Sequence, residues 1–126
     1  MISSAADLTT TIRALVGGRL LPPAQMRDLF AVPDVAYTRA DGNCRLGIDP
    51  GHACFSAGGI MRVRVAPDVA VWGKTGSRPG YTTGVFTTAD LSRTLVYSLN
   101  ATGNKDGSEA PYILRIATAT FGPIPT

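Results

Sequence analysis

Lys74, Thr75 and Gly76 stand together with Ser77 behind them, and these are the residues of the chain best equipped for chemistry. An ammonium and a hydroxyl on neighbouring positions of one strand can hold a carboxylate, and a glycine beside them lets a second backbone come close. An extended peptide laid antiparallel along such a strand borrows its backbone hydrogen bonds. On the triplet alone, a solvated hairpin end is the simpler reading, with Gly76 and Gly80 serving turn geometry. Arg62 and Arg64 are two further cations able to assist with a carboxylate, although strand faces also carry such charges for solubility.

Other reactive side chains are few. Cys44 and Cys54 bracket a loop containing glycine and proline, and both a disulfide and a pair of buried thiols fit that spacing. Two cysteines and the lone His52 cannot build a zinc quartet, so no metal site is expected, and no cofactor motif is present. His52, between Gly51 and Ala53, reads as a loop residue rather than a base. Trp72 reads as core beside the Lys-Thr-Gly triplet, and Ser98-Leu99-Asn100 as the end of an apolar strand running into a turn.

The composition sets the frame that must position these groups. With 126 residues, 44% of them apolar and 17% charged, the chain is long enough for one domain with a core and too short for two. The net charge of +3 comes from scattered Arg and Lys without a basic run or interleaved aromatics, which argues against a nucleic-acid partner. The first twenty residues lack a basic start and an unbroken apolar stretch, so they do not read as a secretory leader. No apolar run approaches membrane-spanning length.

Periodicity supplies the elements. Ser4 followed by Asp7 resembles a capping box, and Leu8, Ile12, Leu15 and Val16 recur at helical spacing until Gly17 and Gly18. Pro22 and Pro23 open a second, shorter helix through Met26, Leu29 and Phe30 that stops before Pro33. Residues 34–59 read as irregular loop with one short strand at most. Met61, Val63 and Val65 then alternate with Arg62 and Arg64, a turn falls at Pro67 and Asp68, and residues 69–75 continue as a strand. Residues 81–87 and 93–99 are two more strands, and the short loop Thr88 to Leu91 forces them antiparallel. After a polar loop through Asn104 and Gly107, Ser108 can cap a last helix with Ile113, Ile116, Ala117 and Thr120 on one face, ended by Gly122, Pro123 and Pro125. The expected fold class is α+β: an antiparallel sheet of three to four strands, two amino-terminal helices, and a carboxy-terminal helix packed on the sheet.

The segment VWGKTGSRPGYTTGVFTTADLSRTLVYSLN, residues 71–100, resembles the third box of class C beta-lactamases and D-alanyl-D-alanine carboxypeptidases, the penicillin-recognising serine hydrolases. The opening segment MISSAADLTTTIRALVGGRLLPPAQMRDLF is similar to the helix pair that precedes the sheet in the same family, and Met1 then resembles an interior methionine. The two matches together reverse the hairpin-end reading of the triplet. The resemblance implies that residues 1–126 are a single partial domain, the carboxy-terminal portion of such a hydrolase. It gives Lys74 and Thr75 the substrate carboxylate, and gives the Ser77 N–H the oxyanion of acyl transfer.

The family's Ser-x-x-Lys nucleophile and Tyr-x-Asn box are absent from the chain and are expected upstream of Met1, so activity of this chain alone is not expected. A D-alanyl peptide or a beta-lactam-like compound is the implied ligand once the missing part is supplied. In the family, the strand matching residues 93–99 pairs with a strand from the amino-terminal part, so an unpaired edge inviting a homo-oligomer is expected here. The family is exported to the cell envelope or medium, which leaves localisation open for a chain without a leader. The alternative is a non-catalytic peptide-binding or interaction module using the same strand.

Overall fold

The computed structural model describes residues 2–37, 44, 46–49, 51–100 and 108–122. Parts of the irregular stretch after Asp34, the polar loop through Asn104 and Gly107, and the terminators Pro123 and Pro125 lie outside the described residues. The elements follow in the order α1 (Ala5–Val16), α2 (Pro23–Phe30), β1 (Met61–Ala66), β2 (Val69–Arg78), β3 (Tyr81–Thr88), β4 (Thr94–Leu99) and α3 (Ala110–Phe121). The strands form one antiparallel meander in the order β1-β2-β3-β4. The fold is α+β, with two helices ahead of a four-stranded sheet and one behind it. No helix among the described residues is long and apolar enough to cross a membrane.

The period-2 pattern divides the sheet into two apolar faces, and each face takes helices. Met61, Val63, Val71, Phe86 and Tyr97 pack with the Cys44 and Cys54 side chains and with Phe121 of α3. On the opposite face Trp72 and Val85 meet Ile12 and Val16 of α1 and Leu29 of α2. Phe30 meets Trp72 edge-on, ring centroids 4.7 Å apart at 90°, an arrangement worth about 0.5–1.5 kcal/mol beyond the area it buries. The fully buried Thr87 keeps its hydroxyl satisfied through the Arg93 carbonyl at 3.1 Å and the Thr94 hydroxyl at 2.9 Å.

Local chemistry sets the ends of the elements. The Ser4 hydroxyl accepts from the Asp7 N–H at 3.1 Å and starts α1. Pro23 starts α2 at a position where its missing N–H costs nothing. The expected cap of α3 is corrected: Glu109, not Ser108, occupies the cap position, and the Glu109 side chain makes no capping hydrogen bond. Pro111 in the first turn has no N–H to satisfy, and the Glu109 carboxylate instead accepts from the Thr82 hydroxyl at 3.0 Å, tying α3 to β3. At the other end the Arg93 guanidinium donates to the carbonyls of Thr120 and Gly122 at 3.4 and 3.0 Å, occupying acceptors that the helix end leaves open.

Leu91, in the loop between β3 and β4, has a left-handed φ of 62°, which costs a non-glycine residue about 1–2 kcal/mol. It is held there by packing against the α1 face and by the Arg13 guanidinium, which donates to its carbonyl at 2.6 Å. Beside it the Asp90 carboxylate accepts from the Thr88 hydroxyl at 2.7 Å, the Ser92 hydroxyl at 2.7 Å and the Ser92 N–H at 3.0 Å. The Thr88 bond, followed by those from Ser92, lowers its pKa from the ordinary 3.8 to about 2.

A carboxylate whose pKa is depressed on folding contributes stability above its unfolded value and loses that contribution as pH falls through the folded one. The stability gap between wild type and Asp90→Ala is therefore expected to be constant above pH 3.8 and to shrink as pH falls toward 2. Thermal unfolding of both proteins across that range checks it; a gap independent of pH contradicts it.

Candidate peptide-docking edge

The Lys-Thr-Gly triplet lies inside β2 rather than at its end, because the strand continues through Arg78 before the chain reverses at Pro79 and Gly80. Proline with its fixed φ followed by glycine at φ 82° is the sequence of a type II turn. The partner strand is shorter. β1 begins at Met61, opposite Gly73, so residues 74–78 have β3 on one side and no described strand on the other. β1 starts there because the chain arrives through a second reversal, with Ser56 N–H donating to the Ile60 carbonyl and Gly59 N–H to the Ser56 carbonyl, both at 2.9 Å. The Arg62 N–H then donates to the Cys54 carbonyl at 2.8 Å, so residues 54–56 cover the outer edge of β1 instead of extending along β2.

The register decides which backbone groups are open. A two-residue loop is closed by its flanking pair, so Arg78 and Tyr81 exchange hydrogen bonds. Alternation along β2 then turns the N–H and C=O of Lys74 and Gly76 toward β3, and those of Thr75 and Ser77 toward the unpartnered side. Two side-chain contacts agree with that parity. The Lys74 ammonium donates to the Thr75 carbonyl at 2.7 Å, and the Thr83 hydroxyl of β3 reaches the Gly76 carbonyl at 3.3 Å. Lys74, Gly76 and Ser77 are exposed and Thr75 is half-buried.

The Lys74 ammonium also sits 5.7 Å from the centre of the Phe55 ring, a contact worth about 0.5–1 kcal/mol at an exposed site. No spacing in the sequence signals Phe55, because it reaches the triplet only through the reversal at residues 57–59. The Thr75 hydroxyl points at the Met61 sulfur, 3.9 Å away, on the face opposite Lys74. The triplet therefore offers a cation above the edge, with the N–H groups of Thr75 and Ser77 and the Ser77 carbonyl along it and the Thr75 carbonyl held by Lys74.

Arg62 and Arg64 lie elsewhere. Both line a cleft with Asp34, Asp49, His52 and the bonded Cys44–Cys54 pair, and Lys74 is not part of it. Arg64 forms an ion pair with Asp49 and donates to the Pro67 carbonyl at 2.9 Å, so it is not available to a ligand at Lys74. Asp49 is the partner that sequence spacing could not supply. His52 is a loop residue bridged to Ala36, its Nδ1 3.9 Å from Asp34. Cys44 and Cys54 are joined in a disulfide, and in the chain-entropy view a loop of this length contributes about 3 kcal/mol. Trp72 is core, and Ser98 and Asn100 are an exposed strand residue and an exposed residue after the strand. No protein-family model, curated protein or solved structure matches the chain.

Two glycines in β2 mark the difference between frame and site. A β-carbon at Gly73 would press into the Val85 carbonyl oxygen and stand 2.8 Å from Phe86 Cα, whereas one at Gly76 would meet only the Thr83 hydroxyl at 3.3 Å. Gly73→Ala is expected to cost about 1–3 kcal/mol or more, and Gly76→Ala within about 0.5 kcal/mol of wild type, in urea unfolding. Equal costs at the two positions would show that the edge is packed rather than open.

Proposed function

We propose that the chain is the substrate-docking part of a penicillin-recognising serine hydrolase, of the D-alanyl-D-alanine carboxypeptidase, beta-lactamase or esterase type. The observation that carries this reading is the position of Lys74–Ser77 on the stretch of β2 that outruns β1, with the Ser77 N–H on the open side. A D-alanyl peptide or an opened beta-lactam docks antiparallel along that edge and exchanges hydrogen bonds with Thr75. Its carboxylate draws the Lys74 ammonium off the Thr75 carbonyl, which frees that carbonyl for the ligand's own N–H. The Ser77 N–H donates to the carbonyl oxygen at which negative charge develops during acyl transfer.

These 126 residues contain no serine followed three residues later by lysine, and no tyrosine followed two later by asparagine. Docking and oxyanion stabilisation without nucleophile and base leave a rate lower by about a millionfold in a comparable hydrolase. The same absence favours a second reading, a non-catalytic module that uses the edge to hold an extended peptide. An in-frame Ser-x-x-Lys in the coding sequence upstream favours the first reading, and a promoter and start signal there favour the second. In either case the outer edge of β4, which has no strand partner among the described residues, pairs with a completing segment or a second copy.

The test is a titration of the isotope-labelled chain with N-acetyl-D-alanyl-D-alanine, with nitrocefin turnover measured in parallel. Saturable shifts of the Thr75 and Ser77 amides, weakened on the order of tenfold in Lys74→Ala, are expected together with turnover at background. Absent or unsaturable shifts would refute docking at this edge, and saturable nitrocefin hydrolysis would refute the missing engine. Sedimentation of the same sample is expected to show mass rising with concentration; a monomer at every concentration contradicts pairing of β4 with a second copy.

A further inference from the structure

The cleft on the far side of β1 is lined by a cation, Arg62, whose charge no described residue answers. It has a volume of about 220 Å³, roughly seven waters' worth, and lies between the disulfide-closed loop and β1. Of the charged groups among its described lining residues, Arg64 and Asp49 neutralise each other. Asp34 is fully exposed and 3.9 Å from His52. Arg62 is half-buried, and its guanidinium makes no ion pair or hydrogen bond with any described residue. Partly burying an unpaired guanidinium is unfavourable, and its planar fork of donors matches a carboxylate.

We infer that this cleft is a binding site for a small monocarboxylate held by Arg62, separate from the edge at Lys74 and independent of the hydrolase reading. With Asp49 neutralised by Arg64, Asp34 is the remaining anion among the described lining residues; it disfavours a dianion such as phosphate by like-charge repulsion, while one negative charge is matched by Arg62. The Cys44–Cys54 disulfide and the Arg62 N–H bond to the Cys54 carbonyl hold the wall against the strand that carries the guanidinium. The site is therefore formed before the ligand arrives.

The probe is N-acetylglycine, followed through the Arg62 side-chain N–H resonance and the amides of His52 to Cys54, with neutral N-acetylglycinamide as its control. The inference expects saturable shifts with the acid and none with the amide. It expects binding weakened on the order of tenfold in Arg62→Gln and unchanged in Lys74→Ala. Asp34→Asn, a change at a fully exposed position that leaves the fold intact, is expected to tighten binding roughly twofold. Equal shifts with the amide, shifts that never saturate, binding lost in Lys74→Ala but kept in Arg62→Gln, or no tightening in Asp34→Asn would each overturn it.

Discussion

The rest of the structure depends on a mismatch of length between two paired strands. β2 runs for ten residues, and β1 meets it only as far as Gly73. The mismatch is imposed from outside the sheet. The Ala57 N–H bonds to the Ala31 carbonyl just after α2, and Gly58 lies against Leu29, so the chain must reverse before Ile60 and cannot follow β2 further. Backbone groups left open in a sheet attract another strand. Here they are Thr75 and Ser77, in the only stretch of the chain that carries a lysine, a threonine and a glycine in a row.

The two-sided core keeps that edge in place. Trp72 and Gly73 are buried immediately ahead of Lys74, one against Phe30 and the α1 face, the other under Phe86. Position is thus fixed by apolar packing on both faces, and the polar residues that follow are held by pairing with β3 and by the contacts of Lys74 with Thr75 and Phe55, of Thr75 with Met61 and of Gly76 with Thr83. Arg13 and Arg93 serve the frame by satisfying carbonyls at the β3–β4 loop and at the end of α3. The Arg62 guanidinium has no such role among the described residues, which makes it the second place where they present unanswered chemistry.

Much of the frame was legible because its signals are local. The Ser4 cap, the Pro22-Pro23 start of α2, and the alternation of Met61, Val63 and Val65 each specify an element through near neighbours. The length of β2 was not legible: Ser77 and Arg78 look like turn residues, yet pairing with Thr82 and Tyr81 draws them into the strand. The cap of α3 was misread for a similar reason, since Ser108 is a good cap in isolation while Pro111 and the Thr82–Glu109 bond set the start elsewhere. Asp49 beside Arg64 and Phe55 beside Lys74 are products of loop paths that no periodicity encodes. The triplet is visible in the sequence, and its accessible side follows from the register of β2 between β1 and β3.

Amide hydrogen exchange along β2 tests the open edge most directly, because it reads each N–H separately. Slow exchange at Lys74 and Gly76, bonded to β3, with fast exchange at Thr75 and Ser77, is the alternating result expected of an edge free to take a peptide. Uniform protection from Lys74 through Ser77 would mean that the second side of β2 is already covered, and it would contradict the account.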